Sequence, residues 1–115
     1  MTLVSTYFGT ANVTLWLTRT NNLVLIQIQA FNISPTVTGE LISDTELTEQ
    51  WLPKDGQIIP SLAYIHVNGT ATVGCAYVGT DRKIHISASD YVGSPFQAGA
   101  IDCGPRYGAT ISFTN

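Results

Sequence analysis

The sequence predicts an all-β domain, an antiparallel β-sandwich with a jelly-roll-like outline, and three observations carry that prediction. Apolar and polar residues alternate with a period of two over several runs of strand length. Asn21-Asn22 and Asn68-Gly69 stand between such runs, where a hairpin needs residues that tolerate positive φ. The longest apolar run, Leu23 to Ile28, is itself no longer than a strand. At 115 residues the chain reads as one domain, 1–115, large enough to bury a core without metals or many disulfides.

In chain order, residues 1–12 carry Tyr7, Phe8 and Gly9 and read as a lead-in strand or an N-terminal arm. Val13 to Thr18 alternates, with Val13, Leu15 and Leu17 on one face and Trp16 on the other. Asn21-Asn22 turns the chain, and Leu23 to Phe31 returns it. On the return, Val24, Ile26, Ile28 and Ala30 share one face, and Leu23, Leu25, Gln27, Gln29 and Phe31 share the other. Residues 32–50 are polar and acidic (Glu40, Asp44, Glu46, Glu49) without a basic counterweight; their Thr and Ser content favours irregular edge structure over a helical turn at Asp44 to Gln50. A meander then runs from Leu62 to Val67, through Asn68-Gly69, along Ala71 to Val78, over the polar tip Gly79 to Lys83, and into Ile84 to Ser87. Asp90 to Gly108 is a long loop rich in glycine, proline and aromatics, a kind of segment that often carries function. Ala109 to Thr114 alternates again and should dock as a last strand.

Composition narrows the partners. Hydrophobic residues make up 44% and charged residues only 11%, against roughly 25% in an ordinary soluble domain. The polar surface is therefore built from Thr, Ser, Asn and Gln, which suits subunit interfaces and glycan contacts. A net charge of −3 and the lack of any basic patch argue against nucleic acid. No signal-peptide pattern follows Met1, and no apolar run approaches the roughly 18 residues of a membrane span, so no membrane insertion is expected.

The second face of the first hairpin is half apolar and half amide. It holds Trp16, Leu23, Leu25 and Gln27, more than a water-facing side requires. Scattered exposed hydrophobics are normal. The low charge favours the other reading, in which this face packs against copies of the same chain.

Several stretches together resemble one family. Thr18-Arg19-Thr20-Asn21-Asn22-Leu23-Val24-Leu25-Ile26-Gln27-Ile28 is similar to the strand that opens the receptor-binding heads of phage and large-virus fibres. Leu52-Pro53 with Pro60 resembles the proline element of the same heads, Thr80 to Ile86 their late hairpin, and Ala109 to Thr114 their last strand. The resemblance covers residues 13–115. It implies a homotrimeric, jelly-roll-like knob at the tip of a fibre on the virion surface, attached to the rest of the fibre or virion and binding a host-cell receptor without catalysis. It makes Trp16, Leu23, Leu25 and Gln27 candidates for the trimer interface.

Cys75 and Cys103 could form a bridge, yet Cys75 beside Val73 and Tyr77 reads better as a small buried hydrophobe, and a virion protein assembled in a reducing cytosol keeps both as thiols. His66 and His85 sit opposite the neighbouring aliphatics and read as surface or interface residues. No Cys/His spacing suggests a metal, and no cofactor is expected. Neither Glu46 with Glu49 nor Asp90 with Asp102 forms a recognisable catalytic pair, no G-x-S-x-G is present, and no enzyme is expected. Carbohydrate binding calls for exposed rings beside polar groups. The candidates are Tyr91, Asp102, Arg106 and Tyr107, with Phe96 and Trp51 next, for which burial is at least as natural. A capsid decoration or spike protein, or a monomeric carbohydrate-binding module, is the alternative expectation.

Overall fold

The computed structural model describes residues 1–115 and is all-β, with two four-stranded antiparallel sheets. The first has the order β1-β2-β3-β8, built from β1 (Thr2–Phe8), β2 (Ala11–Thr20), β3 (Leu23–Ile28) and β8 (Ala109–Thr114). The second has the order β4-β7-β6-β5, built from β4 (Leu41–Ile42), β5 (Ser61–Val67), β6 (Thr70–Val78) and β7 (Ile84–Ser87). The second order is that of a Greek key: three hairpin-connected strands, with β4 returning beside β7. Only two short 3-10 turns, Glu49–Trp51 and Lys54–Gly56, interrupt the strands and loops.

The alternation read from the sequence sets the register. Leu17, Ile26 and Ile111 lie side by side across β2, β3 and β8 and all point inward. From the other sheet, Ile65, Ala76, Val78, Ile84 and Ile86 meet them in one cluster of 22 buried residues. At one end of that cluster Phe8 stacks on Phe31 with ring centroids 4.8 Å apart. The β5–β6 hairpin closes on Asn68 (φ 53°) and Gly69 (φ 76°), the two left-handed residues of a tight primed turn. Gly74 leaves room for Ile65: a Cβ there would stand 2.5 Å from both Ile65 Cδ1 and the Ser87 carbonyl oxygen.

Two expectations for β3 need correction, and one alternative for the N-terminus is settled. Strand β3 ends at Ile28 rather than Phe31: the Gln29 N–H still donates to the Thr14 carbonyl at 3.0 Å, but the Thr14 N–H donates to the Gln29 side-chain Oε1 at 2.9 Å in place of its carbonyl. Beyond that point the two-residue period breaks, so Phe31 turns into the core and Ala30 outward. Residues 2–8 form a strand fully paired with β2, in place of the alternative arm. Its last turn is tied down by Asp44, whose Oδ1 accepts from the Tyr7 N–H and the Thr6 hydroxyl.

The histidines are also not surface residues. His66 is 6% exposed, and the His85 side chain 12%. His85 is enclosed on its own face by Tyr77, Glu40 and Asp81, and His66 is covered by the segment after β7, which lays Tyr107 against its ring. Ala88 and Ser94 close a turn there, and Gly104 forms a bridge to His66. The two cysteines are free thiols in different layers, Cys103 in the central core and Cys75 on the covered outer face. Phe96 and Trp51 are buried core residues.

Candidate functional site

Two arrangements of functional side chains emerge, one closed and one open. The closed one lies on the outer face of β6 and β7. Alternation puts Tyr77, His85 and Ser87 there, and Glu40, just before β4, reaches across to all three. Tyr77 donates its hydroxyl to both Glu40 oxygens (2.8 and 2.7 Å), and Ser87 donates to Oε2 at 2.5 Å. His85 stacks on Tyr77, 5.0 Å between centroids. It presents Nδ1 to Glu40 at 3.2 Å and Nε2 to Asp81 at 2.9 Å, an ion pair on each side when the ring is protonated. The Gly93 N–H donates to both Glu40 and Ser87, which ties the covering loop to the same carboxylate.

Burial pushes the Glu40 carboxyl up, but the donors from Ser87, Tyr77 and His85 outweigh it and hold it below its ordinary range. Burial and the Glu40 carboxylate together push the Tyr77 phenol well above its ordinary value. Burial raises the Cys75 thiol, which makes it a poor nucleophile. The Ser87 proton goes to Glu40 and not to His85, so the cluster lacks the serine–histidine contact of a nucleophilic site. Its chemistry is that of a clasp joining β4, β6, β7 and the loop. The His, Cys and acidic side chains form no group of three able to hold a metal ion.

The open arrangement is a groove of about 890 Å³ along the side of the molecule where β8 and β5 approach each other. Trp16, Gln27 and Gln29 reach it from the outer face of the first sheet, Leu62 and Tyr64 from β5, Tyr107 from the approach to β8 and Thr110 from β8 itself. Leu62 and Tyr64 are each 70% exposed and Tyr107 is 78% exposed. Tyr107 rests edge-on against His66, 5.6 Å between centroids, and beneath it His66 Nδ1 has no hydrogen-bond partner.

The groove thus unites Trp16 and Gln27, expected at a subunit interface, with Tyr107, expected to bind ligand. The other candidates lie elsewhere. Tyr91 is exposed on the loop above the Glu40 clasp. Asp102 sits in a left-handed turn against the β5–β6 hairpin: its carbonyl accepts from the Gly69 N–H and its side chain from Asn32. Arg106 is exposed and lines no part of the groove. Leu23 and Leu25 stand on the outer face of the first sheet, Leu23 exposed and Leu25 half-buried. Leu62 and Tyr64 escaped the sequence reading, although the alternation Leu62-Ala63-Tyr64-Ile65 puts them on a second face just as it does Trp16.

No protein-family model matches the chain, and a comparison with curated proteins finds no match either.

Proposed function

We propose that the chain is a non-catalytic attachment domain, a jelly-roll-like head assembled as a homotrimer on a viral or phage fibre, that binds a receptor on the host surface. One observation carries the reading. The outer face of the first sheet is exposed, apolar in part and free of charge. Its rows run Leu3-Trp16-Gln27-Thr110 along the groove, then Thr18-Leu25-Ser112 and Thr20-Leu23-Thr114, and these last two would carry the contact between copies. Four strands of this sheet contain a single charged residue, Arg19, and its guanidinium turns back to the Asn21 carbonyl at 3.0 Å. A neutral face with exposed leucines fits association with copies of itself better than contact with water.

Light scattering on the purified chain tests it. The expected mass is three chains, and Leu25→Lys, at the centre of the face, should reduce it to one without unfolding the protein. A monomeric wild type would overturn the reading. The groove favours a second one, a monomeric carbohydrate-binding module, which that outcome would leave in front.

A further inference from the structure

We infer that the groove between β8 and β5 is a binding site for a neutral oligosaccharide, with Trp16, Tyr64 and Tyr107 as its stacking platforms and Gln27 as its main polar contact. The inference deepens the attachment reading, and rests on it for the biological role of the sugar. Three aromatic side chains from three parts of the chain line one open groove. Tyr64 and Tyr107 are mostly exposed, so their ring faces are open to a ligand. The face of a pyranose ring is a patch of C–H groups, and an aromatic ring covers it while hydroxyls at the sugar's rim remain free to hydrogen-bond.

The polar groups present suit those hydroxyls. Gln27 makes no side-chain hydrogen bond within the chain, so its amide offers both a donor and an acceptor. Gln29 has its Oε1 engaged by Thr14 and keeps its NH2 free. Amides and hydroxyls serve as donors and acceptors alike, as a polyol demands. No Lys, Arg, Asp, Glu or His side chain lines the groove, and the Met1 α-ammonium at its border is the one charged group there. With no guanidinium to hold a carboxylate bidentately and a lining otherwise of amides, hydroxyls and rings, the groove suits a neutral sugar better than an acidic one. The volume of about 890 Å³ lies in the upper part of the range for small-molecule clefts, roughly 300–1,000 Å³, and suits a short oligosaccharide better than one ring.

The chain contains its own reporter. Of the two tryptophans, Trp51 is buried in the core, and Trp16 lines the groove. The wild type and the variants Trp16→Phe, Tyr64→Ala, Tyr107→Ala and Tyr91→Ala should be screened on an array of neutral oligosaccharides (maltose, cellulose, chitin and galactan series) and sialylated ones. Tryptophan fluorescence is then titrated with the best neutral probe. Binding to neutral probes is expected, with a fluorescence change that Trp16→Phe abolishes while retaining binding. Affinity should fall about tenfold in Tyr64→Ala and in Tyr107→Ala and stay unchanged in Tyr91→Ala. Binding to acidic glycans alone, binding unaffected by the Tyr64 and Tyr107 changes, or no glycan binding at all would each overturn the site. Light scattering on the same samples separates this from the assembly: a three-chain particle that binds no sugar sinks only the groove, and a monomer that binds sugar sinks only the trimer.

Discussion

Glu40 is the residue whose protonation should be felt most widely, because one carboxylate serves Tyr77, Ser87, His85 and the Gly93 N–H. Its folded-state pKa lies below the ordinary value, so the stability it contributes is complete above the unfolded-state pKa and is lost as the pH falls through the folded one. Asp81 has the same sign: burial raises its carboxyl, and the His85 contact more than offsets that. Asp44 behaves likewise through the Tyr7 N–H. The protein should therefore lose stability on the acid side, below about pH 4.5. Glu40→Ala should cost about 1–3 kcal/mol at pH 7, since the Tyr77 and Ser87 hydroxyls lose their acceptor. Urea melts of the two proteins at pH 7 and pH 3 check the sign, for the gap between them must narrow in acid. A gap of equal size at both values would mean that Glu40 acts through packing alone. None of this clasp could be read in the sequence. Glu40 is 37 to 47 residues from Tyr77, His85 and Ser87, and an acidic run without nearby bases looks like a solvated edge until the strands are placed.

Among the elements, the β5–β6 hairpin depends most visibly on a local signal. Asn68 takes φ 53°, and its Oδ1 also accepts from the Ile101 N–H at 3.1 Å, so it fixes the turn and holds the long loop against it. Asn68→Ala loses both functions and should destabilise the protein by about 1–3 kcal/mol. Asn68→Gly keeps the backbone conformation and should fall between that variant and wild type in thermal melts. Equal losses for the two substitutions would show that backbone strain plays no part. The same locality made the fold legible: Asn-Gly and Asn-Asn turns and two-residue alternation are contained within short windows, and they placed β2, β3, β5, β6, β7 and β8 to within a few residues. The loop after β7 was not legible, because its partners are remote. Phe96 pairs with Gly39, Cys103 with Ile33, and Asp102 accepts from Asn32, 70 residues away. Once that loop packs against the core and the end of β5, Phe96 is core, His66 is covered, and only Tyr107 of its rings reaches the groove. The groove was half legible. Trp16, Gln27 and Tyr107 were each singled out, but nothing local to any of them says that β2, β3 and the approach to β8 meet beside β5.

For the whole molecule, the decisive feature is where charge is absent. Every charged side chain but Arg19 lies in the β3–β4 and β4–β5 connections, the tip before β7 or the long loop, leaving the first sheet almost neutral. One exposed ion pair, Arg82 with Glu49 at 3.5 Å, lies among these connections, and pairs of that kind contribute at most about 1 kcal/mol. A particle held together by Leu23, Leu25 and their neutral neighbours should therefore be indifferent to ionic strength. Raising salt from about 0.05 to 1 M shortens the Debye length to roughly 3 Å and removes most attraction between exposed charges, while contact between apolar and amide groups persists. The three-chain mass expected from light scattering should hold across that range. A particle that falls apart as salt rises would place the contact on the charged connections instead. The outer face of the first sheet would then be left as open surface.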